Sequence, residues 1–265
     1  MRNYRALLSY SGTPFHGWQR QDGFPSVQEV LEDALEDATG EKVVVHGAGR
    51  TDTGVHALGQ VASFHVATHL GDDRLRHALN AHLPREVVVR RLETCRDDFH
   101  ARFDALGKRY LYIVATTRFR PALGGDQALW IPQSLDLAAM RSAAAVLLGK
   151  HDFAAFANAG SPRSSTVRTV RRLRLVARRE RLALVIEADG FLYNMVRTIA
   201  GTLIDVGRGR RSAGSVGLAL ASGERTAAGP TAPARGLILL RVRYAEPVFR
   251  GPDTGPRGAP GAFPP

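Results

Sequence analysis

Apolar positions along the chain fall into two rhythms, alternation and helical spacing, and the changes between them mark the elements. Tyr4–Gly12, reading YRALLSYSG, alternates and predicts a first strand that ends at Gly12. The following GTPFHGWQRQDGFP is punctuated by glycine and proline and reads as a loop. SVQEVLEDALEDATG gives the clearest helix: Val27, Val30, Leu31, Ala34, Leu35 and Ala38 form one apolar stripe. Ser26 and Glu29 have capping-box spacing, and Gly40 is placed to stop the helix. KVVVHGAG and LGQVASFHV predict two strands, DDRLRHALNAHL a short helix ended by Pro84, and EVVVRRLETC a further strand.

The second half repeats the style. KRYLYIVAT predicts a strand, and SLDLAAMRSAAAVLLG a helix from a Ser134 cap to a Gly149 stop. VRTVRRLRLVA and RLALVIEAD predict paired strands turning around Arg178–Arg181. GFLYNMVRTIAGTLIDVG predicts a helix with Leu192, Val196, Ile199 and Leu203 on its apolar stripe. SVGLALAS predicts a short helix and GLILLRVRY a last strand. Strands and helices thus recur in similar order in both halves, which predicts an α+β protein of two related split-βαβ, ferredoxin-like domains with mostly antiparallel sheets. The expected domains are 1–105 and 106–247. Residues 248–265, rich in Pro and Gly, are expected to be a disordered tail.

At 265 residues the chain is long enough to bury a core, and its 44% hydrophobic content is ordinary for a globular protein. No apolar run approaches the roughly 20 residues of a membrane span, and the N-terminus lacks the features of a signal peptide. The single cysteine, Cys95, excludes an internal disulfide and cysteine-rich zinc sites, so a cytoplasmic setting is expected. Charge changes the picture more. Lys plus Arg is 36 against 25 for Asp plus Glu, a net charge of +11. Arginine carries nearly all of the positive charge, and its planar fork of donors suits phosphate. An excess of this kind points to a polyanionic partner, nucleic acid first.

The stretch HGAGRTDTGVHALGQVASFHV holds the candidate chemistry. Asp52 sits in a tight polar turn between two predicted strands, with Gly47, Gly49 and Gly54 around it and Arg50 two residues before it. A turn aspartate often does no more than bond nearby backbone N–H groups. Glycines that permit close approach, an adjacent cation and a rigid scaffold on both sides favour a site instead. Asp52-Thr53-Gly54 and Asp253-Thr254-Gly255 each match the triplet of aspartic proteases. That chemistry needs two carboxylates in contact, whereas Arg50-Thr51 precedes the first copy and the second lies in the Pro/Gly tail. His65 and His69 have metal-like spacing only on a helix, and they fall at a strand end with no further ligands nearby, so no metal site is expected.

GRTDTGVHALGQVASF resembles the signature of the TruA family of tRNA pseudouridine synthases, which modify the anticodon stem-loop. FHARFDALGKRYLY, GFLYNMVRTIAG and APARGLILLRVRY resemble the family's later motifs in order, and YRALLSYSGTPFHGWQRQ resembles its usual start. The resemblance covers roughly residues 1 to 246. It implies isomerisation of uridine to pseudouridine at positions 38, 39 and 40 of the anticodon stem-loop, with no cofactor and no metal. It also implies a homodimer as the working form and a basic active-site cleft between the two domains. It makes Asp52 the catalytic carboxylate, attacking covalently or removing a ribose proton. Either role needs the ionised form, which a dry pocket disfavours and a neighbouring cation restores. Arg197 is the residue it nominates to pair with Asp52, Arg50 to displace the target base, and Tyr110 to stack on it.

Without the resemblance, Tyr110 reads as a half-buried strand tyrosine and Arg197 as a surface helix residue beside Asn194. Arg172 and Arg174, alternating with Leu173 and Leu175, and the cluster Arg208, Arg210 and Arg211 are expected to form an RNA-facing surface. Two rival readings share these features: a non-catalytic RNA-binding protein, and a pseudouridine synthase acting on another RNA.

Overall fold

The computed structural model describes residues 1–158 and 165–249. In chain order the strands and helices are β1 (Arg2–Tyr10), α1 (Val27–Thr39), β2 (His46–Gly47), β3 (His56–Val66), α2 (Asp72–His82), β4 (Val87–Thr94), β5 (Gly107–Ala115), β6 (Leu129–Trp130), α3 (Leu137–Ala145), β7 (Gly149–Asp152), β8 (Val167–Arg178), β9 (Arg181–Ala188), α4 (Met195–Gly207), α5 (Ser215–Ser222) and β10 (Leu237–Arg243). The chain packs as two units, one of Met1–Leu106 with the chain from Leu239, the other of Gly107–Ile238. None of these helices is long and apolar enough to cross a membrane.

In the first unit the strands lie in the order β4-β1-β3, with β2 beside β3. This is the split βαβ arrangement, in which the outer strands of two βαβ passes flank the central pair. β1 runs antiparallel to both neighbours, and its register with β3 sets Tyr4 opposite Phe64. Those two rings stack at 5.7 Å. With Leu8, Leu31, Leu35, Leu75 and Leu79 they make a core that is essentially inaccessible to water.

The α1 stripe is buried at Val27, Leu31, Ala34 and Leu35, as its period predicts. Its ends are also as expected: Ser26 Oγ accepts from Glu29 N at 3.2 Å, and Gly40 takes φ 73° while its N–H closes on the Glu36 carbonyl. Ser26 is fully buried. Ser26→Ala is expected to cost about 1 kcal/mol, read as a lower thermal midpoint.

The KVVVHGAG segment departs from its expectation. Val43 and Val45 are buried and Val44 exposed, so the alternation is real, but only His46–Gly47 pair as a strand. The Val45 N–H is taken by Glu32 Oε1 of α1 at 3.0 Å, and a side chain thus replaces a ladder partner.

The second unit repeats the order of strand, helix, hairpin and helix. Its strands lie β5-β9-β8-β7, the registered neighbours antiparallel, with the short β6 parallel to β5. β8 and β9 form the expected hairpin, turning at Arg179 with φ 51°. α3 begins later than expected: Asp136, not Ser134, is the cap, and its Oδ1 accepts from Ala138 and Ala139 N at 2.9 Å each. A carboxylate there also meets the positive end of the helix dipole. α4 likewise starts at Met195, after Asn194 takes a left-handed φ of 61° that ends the lead-in.

Candidate active site

Asp52 opens a turn closed by the Val55 N–H on the Asp52 carbonyl at 3.0 Å. Gly54, third in this turn, has φ 75°, which an L side chain adopts only under strain. Asp52 is partly buried between the buried Thr51 and the exposed Thr53, and the Arg50 side chain is exposed.

The turn is held from two sides. From β1 and β3, Tyr10, Thr51 and Gln60 form a buried network. The Tyr10 hydroxyl and Thr51 Oγ1 share a hydrogen bond of 2.9 Å, and Gln60 Nε2 donates to the Gly49 carbonyl at 2.8 Å and to the Tyr10 oxygen at 3.5 Å. Burial pushes the Tyr10 phenol well above its ordinary pKa, against the pull of Thr51 and Gln60, so it stays protonated. The backbone on each side of Arg50 is therefore fixed while its guanidinium reaches outward.

The second hold comes from the segment after β1. Trp18 N donates to the Thr51 carbonyl at 3.0 Å, Gly54 N to the Phe15 carbonyl at 3.3 Å, and Gly12 N to His56 Nδ1 at 3.1 Å. Two approaches allow no side chain. A Cβ on Gly17, itself at φ 100°, would lie 2.5 Å from the Thr51 carbonyl oxygen, and one on Gly47 would enter the buried Trp18 ring. The loop that separates β1 from α1 in sequence is thus a clamp on the Asp52 turn. From the sequence it reads as a loop punctuated by glycine and proline, with no role of its own. Its signal was present in two glycines and a tryptophan within a polar stretch.

Tyr10→Phe tests the first hold. It leaves Thr51 Oγ1 and Gln60 Nε2 buried with one partner fewer, an expected cost of about 1–3 kcal/mol in thermal denaturation.

In the second unit, Tyr110 lies on β5 opposite Ile186 of β9 and is 7% exposed. Its ring meets Phe191 edge-on at 5.2 Å. Tyr112, two residues on, shares that face of the strand. Its hydroxyl donates to the Pro233 carbonyl at 2.8 Å. Burial raises the Tyr112 phenol, and the Arg197 and Arg235 cations pull it back.

Arg197 is not the surface residue that its offset from the apolar stripe suggested. It is partly buried, with Nε on the Ala232 carbonyl and Nη1 on Asn194 Oδ1, both at 2.8 Å. The Arg197 carbonyl in turn accepts from Ala232 N at 3.1 Å, which fixes the start of α4 against the 230s loop. The structure therefore places Arg50 and Asp52 on one turn of the first unit, and Tyr110 and Arg197 on facing elements of the second.

The expected alternation of apolar and cationic residues is present on β8. On β8, Leu173 and Leu175 are buried while Arg171, Arg172 and Arg174 are exposed, the expected two-faced strand. The cluster after α4 differs. Arg211 donates to the Ala227 and Ala228 carbonyls at 2.7 and 3.0 Å and lies 3.9 Å from Asp205, and Arg210 is 3.8 Å from the same carboxylate. Arg211 is an internal brace, because a 3₁₀ turn at Arg225–Ala227 leaves carbonyls that need donors.

His65 Nε2 contacts the Asp97 carbonyl at 3.1 Å, and no group of three or more potential metal ligands occurs among the described residues. The second Asp-Thr-Gly triplet, and all but residues 248 and 249 of the expected tail, lie outside the described residues.

The family model described as tRNA pseudouridine synthase matches residues 6–104 and 143–245, which include Arg50, Asp52 and Arg197. Proteins called tRNA pseudouridine synthase A are similar over nearly the whole chain. That of Acetivibrio thermocellus is 43% identical over 244 residues, 92% of this chain and 100% of its own length. That of Thermoanaerobacter sp. strain X514 is 45% identical with the same coverage. That of Paramagnetospirillum magneticum is 43% identical over 259 residues, 97% of this chain and 100% of its own length. The clamped aspartate turn thus sits inside a match that spans both units, and the chain belongs to the tRNA pseudouridine synthase family.

Proposed function

We propose that the protein isomerises uridine to pseudouridine in tRNA, at positions 38, 39 and 40 of the anticodon stem-loop, working as a homodimer in the cytoplasm. The observation that carries the reading is the family match across both units, with Asp52 on a turn held rigid by two independent sets of hydrogen bonds.

The reaction breaks the bond from ribose C1′ to uracil N1, turns the base and joins C1′ to C5. The C5 hydrogen leaves as a proton and N1 gains one, so atoms balance without redox or an added group. Asp52 supplies the carboxylate, as nucleophile or as base on the ribose. Both roles demand a fixed oxygen, and the clamp supports both. Arg50, exposed on a fixed backbone, is suited to enter the space that the target base vacates. Flipping a nucleotide costs a few kcal/mol, which stacking on an aromatic such as Tyr110 offsets by about 1–3 kcal/mol. Arg197, its guanidinium held by Asn194 and the Ala232 carbonyl, keeps the role that the resemblance gives it, a cation that favours an ionised carboxylate.

The test is carbodiimide labelling of tRNA incubated with the enzyme, read as reverse-transcription stops. New stops at 38, 39 and 40 are expected. Stops elsewhere in the tRNA would keep the chemistry and reject the positions. Light scattering should give twice the chain mass; a monomer mass with and without tRNA would reject the homodimer.

A further inference from the structure

An aromatic ladder stands on the surface of the first unit, outside the residues assigned above. His46 and His100 stack with ring centroids 4.9 Å apart and planes 30° from parallel. His100 and Phe103 follow at 4.2 Å and 38°, and the Arg102 guanidinium lies 5.7 Å from the Phe103 ring centre. Phe103 is 76% exposed.

This exposure is not that of a loose loop. Asp104 Oδ2 accepts from His100 N at 3.1 Å and from Arg96 Nη2 at 2.7 Å. His100 Nδ1 accepts from Arg102 N at 3.1 Å and from Phe103 N at 3.4 Å. The Tyr244 hydroxyl donates to the Ala101 carbonyl at 2.7 Å. Burial, then the neighbouring His46, hold the His100 imidazole below its ordinary pKa, in keeping with a neutral ring whose Nδ1 accepts. These bonds fix the backbone that carries Phe103, whose ring rests against His100.

The ladder and the Asp52 turn hang on one strand. His46 pairs with Ser63 of β3, and Ala101 N donates to Ser63 Oγ at 3.0 Å, so Ser63 registers both histidines. Gln60, three residues earlier on β3, holds the Gly49 carbonyl beside Arg50.

We propose that Phe103, backed by His100 and His46, is a stacking platform for a base of the tRNA substrate that neighbours the target uridine, with Arg102 meeting its phosphate. The ligand class is an unpaired or splayed nucleotide. A flat ring accepts any base by its π-face, and the net charge of +11 suits the polyanion. The inference rests on the tRNA reading above.

The test compares Phe103→Ala, Phe103→Leu and Phe103→Trp with wild type, measuring tRNA Kd and KM, kcat, thermal midpoint and mass in solution. Phe103→Ala and Phe103→Leu should each raise Kd and KM about tenfold, within the range of one lost stack, with kcat and midpoint unchanged. Phe103→Trp should bind at least as well as wild type. Leucine keeps apolar contact without a ring, so wild-type affinity in Phe103→Leu would overturn the stacking role, as would unchanged affinity in Phe103→Ala. Loss of dimer mass in Phe103→Ala would overturn it in favour of contact with a second copy. If wild type itself bound no tRNA, the functional reading would fall and this inference with it. If wild type binds and the variants match it, only the inference falls.

Discussion

Asp52→Asn should bind tRNA within a few-fold of wild type and lose turnover by about 10³- to 10⁴-fold or more. The substitution keeps the shape of the side chain and removes the ionised oxygen. The backbone of the turn is held through the Thr51, Gly54 and Val55 backbone and through Thr51 Oγ1, all of which the substitution leaves in place. The variant should therefore fold normally, and the loss should appear in kcat rather than KM. Binding by filter retention and turnover under saturating tRNA separate the two. A variant with near-normal kcat would remove Asp52 from the chemistry. A variant that lost binding as well would mean that the carboxylate organises the RNA surface.

The second large effect is expected at a residue that touches no RNA in this account. Gly17→Ala meets two obstacles at once. Its φ of 100° is unfavourable for any L side chain, and the new methyl would lie 2.5 Å from the Thr51 carbonyl oxygen and 3.2 Å from the Asp52 carbonyl carbon. These are backbone atoms of the Asp52 turn, which a side-chain rotation cannot clear. The expected result is a stability loss of roughly 2–3 kcal/mol. Displacement of Asp52 by even about 1 Å should cost a further 10²-fold or so in kcat. Gly23→Ala is the matched control. Its φ is 77°, but no atom lies within 4 Å of the added methyl. It should show the conformational cost alone, about 1 kcal/mol, with kcat unchanged. Wild-type kcat and midpoint in Gly17→Ala would show that the Gly12–Trp18 segment does not hold the turn.

What could be read from the sequence divides along a physical line. Features set by near neighbours were legible. The α1 stripe, its Ser26 cap and its Gly40 stop follow from helical spacing and local bonds. The β8–β9 hairpin and its alternating Leu173 and Leu175 follow from strand pleat. The Asp52 turn declared itself by its glycines. Features set by distant partners were not legible. Nothing local says that Glu32 of α1 takes the Val45 N–H, which stops KVVVHGAG from laddering along its length. Ser134 and Asp136 are both sound caps, and only the tertiary path chose between them. Arg211 looked like a free cation because the carbonyls it bridges lie 16 and 17 residues away. The roles of Arg50, Tyr110 and Arg197 came from the family resemblance. Its offset from the apolar stripe puts Arg197 at the surface, whereas the Ala232 carbonyl and Asn194 hold it partly buried.

Tritium release from tRNA labelled at uracil C5 tests the central claim most directly, using purified wild type and Asp52→Asn with no added cofactor. The C5 hydrogen must leave when the new C5–C1′ bond forms. Wild type should release one tritium per pseudouridine formed, and Asp52→Asn none above background. Release by both proteins would contradict the assignment of Asp52, and release by neither, with tRNA bound, would contradict the isomerase itself.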